Sequence, residues 1–172
     1  METLLISLVS VALVIVATVT MTLSTFSSTV TLTDSWVQME QRAEEIRRTS
    51  ISLTPPEGYS GGNIDLMVDN DGQTNLSDFS HWDVMVEYQT GTIQYLNYTE
   101  NPSPGDNEWA IEGIYMTENT SMAESFDFDI LNPWETANVT MKLNPQIGAG
   151  ESGRITVSTA NGVTSQCILI RP

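Results

Sequence analysis

TLLISLVSVALVIVATVTMTLSTFSSTVTLT, residues 3–33, decides how the rest of the chain is read. It lies between Glu2 and Asp34 and holds no charge, no glycine and no proline. Its first half is apolar all round apart from Thr3, Ser7 and Ser10, and from Thr18 onward hydroxyl residues almost alternate with apolar ones. A secretory signal peptide needs a basic n-region and a short apolar core. Here the n-region is Met1-Glu2, and the pattern runs on well past a signal peptide's length. A simple transmembrane anchor needs ~20 apolar residues for a ~30 Å hydrocarbon core, and Leu4–Leu23 nearly supplies them. The uncharged stretch is longer than that, roughly 45 Å at the standard helical rise. Lipid offers its Ser and Thr hydroxyls no partner, although they can bond back to helix carbonyls.

The helical pattern continues through DSWVQMEQRAEEIRRTS, and the first proline is Pro55. Trp36, Met39, Ala43 and Ile46 recur at spacings of three and four, one apolar stripe on a polar helix. Glu44 and Arg48 stand at the favourable i,i+4 spacing. The expectation is one helix from residue 2 to about 50, within an N-terminal segment 1–53: apolar over 3–33, amphipathic over 34–50. Leu4, Leu5, Leu8, Val11, Leu13, Val16, Met21, Leu23, Phe26 and Val30 are the expected assembly surface. Trp36, Met39 and Ile46 are expected to dock the helix against the C-terminal head.

TPPEGYSGG, residues 54–62, reads as a hinge because Pro and Gly break regular structure. Residues 63–172 then read as short strands separated by turn residues, which predicts an antiparallel sandwich. TANVTMKL alternates, with Val139, Met141 and Leu143 on one face and Asn138, Thr140 and Lys142 on the other. Asn161-Gly162 marks a hairpin. The fold class is therefore α+β: one long N-terminal α-helix followed by an antiparallel β-sandwich head.

The chain carries 22 acidic against 6 basic residues, a net charge of −16. Such a surface repels phosphates, so nucleic acid is not an expected partner. The single cysteine, Cys167, cannot form an internal disulfide and sits in the apolar run QCILI, where a buried inert thiol is expected. The stretch MVDNDGQTN resembles a calcium loop only superficially. Placing Gly72 at the sixth position puts Met67 at the first, where an oxygen ligand is required. A turn between two strands is expected, with Asn70-Asp71-Gly72 supplying unusual backbone angles; a cation on Asp69, Asp71 and Asp78 is the alternative. His81, the one histidine, lies beside Trp82 with no nucleophile signature. No catalytic residue, metal ligand set or cofactor is expected. Asn75, Asn97, Asn119 and Asn138 each begin an Asn-x-Ser/Thr sequon, the acceptor pattern of an exported glycoprotein.

A long apolar helix ahead of a β head, without a basic N-terminus, resembles the mature subunits of the type IV pilin superfamily. That resemblance implies a leader removed by a prepilin peptidase, with Met1 the residue after cleavage. It also implies residence in the membrane before assembly and a homo-oligomeric, helical extracellular filament built by an archaellum or pilus machinery. Leu5 stands where bacterial pilins usually carry glutamate, which moves the likeness toward archaellins and archaeal pilins. The head is similar to the immunoglobulin-like domains of archaellum proteins, in IDLMVDNDGQTNLSDFSHWDVMVEY, ILNPWETANVTMKL and ITVSTANGVTSQCIL, with Trp134 in place of the usual glycine after Pro133. This second likeness embraces filament subunits and membrane-anchored stator proteins of the FlaF and FlaG class. The expected function is a filament subunit for motility or adhesion. The alternatives are an anchored stator component whose head binds the cell envelope, and an anchored surface binding module.

Overall fold

The computed structural model describes residues 2–55, 59, 62–116, 119–123, 127 and 129–172. It divides into two compact units, residues 1–43 and 44–172. Helix α1 spans Glu2–Arg48 without a break, 47 residues or about 70 Å. Its first turn carries Glu2 and its last turn Arg47 and Arg48, charges that complement the helix dipole at each end. The expected end near residue 50 agrees with this.

Among the described residues nine strands succeed the helix: β1 (Ile51–Thr54), β2 (Asn63–Asn70), β3 (Asp83–Tyr88), β4 (Ile93–Tyr98), β5 (Glu108–Met116), β6 (Asn119–Ala123), β7 (Glu135–Lys142), β8 (Ser152–Ser158) and β9 (Thr164–Ile170). They hydrogen-bond in the order β1-β2-β7-β5-β4-β3-β8-β9, with β6 on β5. One antiparallel layer is β1-β2-β7-β5 and the other is β4-β3-β8-β9. The α+β class holds, and the β part is sandwich-like.

Two expectations need correction. The sheet is mixed rather than antiparallel, because β4 and β5 pair in parallel over Asn97↔Glu108 and Tyr98↔Trp109. The Pro/Asn/Gly-rich segment after Tyr98 returns the chain to lay the start of β5 beside the end of β4 in the same direction. Trp109, fully buried, meets the Tyr98 ring edge-on there at 4.9 Å between centroids. The second correction concerns the boundary. The β domain starts before residue 63: β1 pairs antiparallel with β2 from Ile51↔Asn70 to Thr54↔Met67. The 54–62 stretch expected as a hinge is therefore the connection between two paired strands. Ile51 is buried in the core and Leu53 packs against it, a gain in burial that draws this short segment into the sheet.

The inward face of β7, Ala137, Val139 and Met141, is buried, and Leu143 beyond it as well, as alternation requires. On the outer face Thr140 donates to Asp65 (3.0 Å), Asn138 donates to Glu112 (2.7 Å) and Lys142 pairs with Asp106 (2.6 Å). The Lys142 ammonium, then the Asn144 amide, hold the Asp106 carboxyl below its usual range. Cys167 is buried, and burial pushes its thiol pKa up, as expected of an inert core thiol.

Candidate assembly surface

No described side chain of helix α1 is buried. Leu4, Leu5, Leu8, Val11, Leu13, Val16, Met21, Leu23, Phe26 and Val30 are between 45 and 76 % exposed, so the expected assembly residues form a continuous apolar sleeve. The helix is long and apolar enough to cross a membrane. Its length of about 70 Å is more than twice a hydrocarbon core.

The hydroxyl-rich half resolves the difficulty its composition raised. Ser10, Thr18, Thr22, Thr25, Ser28, Thr29, Thr31, Thr33 and Ser35 each donate to the carbonyl four residues earlier, at 2.8–3.1 Å. Thr20 reaches both Val16 and Ala17. Each of these hydroxyl protons is consumed within its own helix. Around these residues the surface left outside is methyl and methylene, and it can enter a dry environment without an unmet donor.

Trp36 and Met39 are exposed, 73 and 68 %, and so is Ile46 in the last turn. That last turn is tied to the sheet by Thr49 and Thr74, which sequence reading did not single out, and by Asn161, which it read only as part of a hairpin. Thr49 is 7 % exposed, and its hydroxyl donates to the Glu45 carbonyl (2.9 Å). The same oxygen meets the Thr74 hydroxyl (2.7 Å) and accepts from the Asn161 amide (2.8 Å). The Arg48 carbonyl, an orphan of the helix end, accepts from the Gln73 N–H at 2.8 Å.

The supposed calcium loop builds this clamp. Asn70, 1 % exposed, donates to the carbonyls of Thr74 (2.8 Å) and Leu131 (2.9 Å) and accepts from the Gly72 N–H (3.1 Å). Gly72 is needed for space rather than for unusual backbone angles, correcting the sequence reading. A Cβ there would stand 2.6 Å from the Ser50 nitrogen and 2.7 Å from the Arg48 oxygen. Asn161-Gly162 does close the β8–β9 hairpin, with Gly162 at φ +88°, while Asn161 serves the helix end. Among the described residues no group of three or more His, Cys, Asp or Glu is placed to hold a metal ion, so Asp69, Asp71 and Asp78 are not gathered into a site.

Of the sequon residues, Asn75 and Asn97 are exposed. Asn138 lies on the central strand β7 with its amide nitrogen on Glu112. Asn119 begins β6, and its side chain lies outside the described residues. Trp134 adopts φ +71°, the left-handed region that favours glycine, at the position where the resemblance implied a glycine. Its N–H donates to the Asn70 carbonyl (2.9 Å), which ties this turn to the same clamp.

No protein-family model matches the chain, and no curated protein matches it in sequence. Solved structures do match in three dimensions. The archaeal flagellum of Methanospirillum hungatei strain JF1 aligns with a TM-score of 0.60 at 12% identity, over 96% of this chain and 90% of that one. The archaellum periplasmic stator protein FlaG from Sulfolobus acidocaldarius aligns with a TM-score of 0.52 at 19% identity, over 70% of this chain and 99% of that one. Archaeal flagellin FlaB1 from Methanocaldococcus jannaschii aligns with a TM-score of 0.50 at 11% identity, over 72% of this chain and 91% of that one. The whole chain, long helix and two-layered β domain, thus shares its fold with the Methanospirillum filament, and about 70% of it aligns with the archaellum stator protein and with FlaB1.

Proposed function

We propose that this chain is a structural subunit of an archaellum-type filament at the cell surface, polymerising through helix α1. The observation that carries the proposal is the sleeve of residues 3–33: uncharged, exposed along its whole length, longer than a bilayer requires, and with most of its hydroxyls bonded within the helix. Before assembly the same sleeve holds the chain in the membrane. In the filament it is covered by identical helices, through a heterologous contact that repeats without closing. The likeness to the Methanospirillum filament supports this reading because it extends over the helix as well as the head. Trp36, Met39 and Ile46 then dock helix against head in the assembled fibre, where Arg42, Arg47 and Arg48 meet the acidic heads of neighbours. A prepilin peptidase and an archaellum machinery complete the set of partners, and the filament serves motility or adhesion without catalysis. Glycans belong on Asn75 and Asn97, whereas Asn138 is engaged in the sheet; glycopeptide mass spectrometry finding Asn138 occupied would contradict that assignment.

A stator-type role is the second reading, favoured by the match of the head to FlaG. The two differ in stoichiometry. Quantitative proteomics of sheared surface fibres and washed membranes should find this chain as the main fibre band. Retention in the membranes, at a copy number near that of the motor ATPase, would establish the stator role instead.

A further inference from the structure

The turn between β8 and β9 holds the chain's only Asn-Gly pair, Asn161-Gly162. This dipeptide carries a reaction of its own. The glycine nitrogen can attack the side-chain carbonyl carbon of the asparagine, because glycine has no side chain to obstruct the approach. Gly162 is exposed, and a Cβ built on it would meet nothing within 4 Å. Packing therefore does not shield the reacting nitrogen, and hydrogen bonds hold the pair instead. The Gly162 N–H donates to the Thr159 carbonyl (2.8 Å). Asn161 Oδ1 accepts from the Thr159 hydroxyl (2.6 Å), and Asn161 Nδ2 donates to the Thr49 hydroxyl oxygen (2.8 Å). The nitrogen reaches Cγ only when its own bond opens and the amide turns away from Thr159 and Thr49. The last of these partners is the residue that follows helix α1.

We propose that Asn161 is a self-modification site held in check by the helix end. In the reaction the Gly162 nitrogen bonds to Cγ and gives its proton to water. The Cγ–Nδ2 bond breaks, and Nδ2 takes up a proton and leaves as ammonia. One water then opens the succinimide ring, at Cγ to give aspartate or at the backbone carbonyl to give isoaspartate. The sum is amide plus water to carboxylate plus ammonium, with nothing oxidised or reduced. The product reverses the contact that restrained it. Thr49 commits its hydroxyl proton to the Glu45 carbonyl (2.9 Å), so toward residue 161 its oxygen accepts. A carboxylate has no proton to donate. It also adds a negative charge to a chain of net charge −16. Isoaspartate in addition lengthens the backbone of the turn by a carbon. Modification thus unfastens the hairpin from the helix end, and opening of the clamp in turn frees Asn161 to react. The step runs one way and accumulates for as long as the clamp is open. It concerns the joint between helix and head, and it applies to a filament subunit and to a stator protein alike.

The test keeps full-length protein in detergent, warm and at mildly alkaline pH, where the amide nitrogen loses its proton more readily. Peptide mass spectrometry and enzymatic methylation of isoaspartate read the conversion at residue 161. The folded parent should convert roughly a hundredfold more slowly than the same chain in urea, since three hydrogen bonds of ordinary strength restrain it. Thr49→Val keeps the shape of residue 49 and removes its oxygen; it should convert roughly fivefold faster than the parent, and Thr49→Ser at the parent's rate. In Asn161→Asp, hydrogen exchange should quicken at the Thr49 and Gln73 amides, which bond the Glu45 and Arg48 carbonyls, while the amides of β2 and β7 keep their protection. Equal rates for the folded and urea-unfolded parent would overturn the proposal. So would a parent-like rate in a Thr49→Val chain that circular dichroism shows folded, or unchanged exchange in Asn161→Asp. If Thr49→Val does not fold, the parent's two rates and the Asn161→Asp exchange decide the matter. Fibre yield is measured separately in cells, so loss of the filament reading and loss of this site are distinguishable.

Discussion

In helix α1 the Thr22 hydroxyl donates to the carbonyl of Thr18, four residues back; in the β domain the Asn70 amide donates to the carbonyl of Leu131, at a separation of 61 residues. The helix closes its polar groups locally and leaves its apolar surface outside. The β domain buries its apolar surface, with Trp109, Ile64, Leu66 and Ile155 essentially inaccessible, and closes its polar groups through distant partners. The first region meets most of its hydroxyls locally and leaves its apolar surface open. The second encloses an apolar core, and Trp109 Nε1 is among the few described buried atoms there without a partner. The difference says where each depends on the outside: the helix needs lipid or other helices to cover it, and the head carries its own core.

The largest break comes from charging the sleeve. Val11→Asp places a carboxylate where lipid or neighbouring helices must cover it, at a cost of several kcal/mol per subunit. Fibres should disappear from electron micrographs of sheared material, while thermal unfolding of the β domain stays where it was. Normal fibres would remove the helix from the assembly surface.

Within the head, Asn70→Ala strips two carbonyls and one N–H of their buried partner. The expected loss is about 2–4 kcal/mol, seen as a lower midpoint in calorimetry with helical ellipticity retained. A midpoint within a degree of the parent would mean that the clamp is not what holds the turns together.

Trp134→Gly runs the other way. Relief of the left-handed backbone should stabilise the β domain by about 1 kcal/mol. A fall in stability would show that the indole's contacts outweigh the backbone cost.

The smallest effect belongs to the helix hydroxyls. Thr22→Val removes a bond made only to its own backbone, so stability and fibre yield should change by less than about 0.5 kcal/mol and a few per cent. Loss of fibres in this variant would mean that these hydroxyls bond between helices, and would redraw the contrast between the two regions.

What the sequence by itself determined is what depends on near neighbours along the chain. The uncharged run, the absence of Gly and Pro before Pro55 and the late apolar stripe specified helix α1 almost to its end, because helical contacts fall within four residues. Alternation in β7 and the glycine after Asn161 specified a buried face and a hairpin for the same reason. Tertiary structure alone decided the rest. Ile51–Thr54 is too short to announce itself as a strand and became one by pairing with β2. The parallel seam of β4 on β5 depends on where the connecting chain returns. Gly72 carries no mark in sequence that its missing Cβ leaves room for the Arg48 carbonyl, and Thr49, Thr74 and Asn161 meet only because three separate segments converge. Close approach between residues far apart in the chain has no local periodicity, so no pattern of spacing records it.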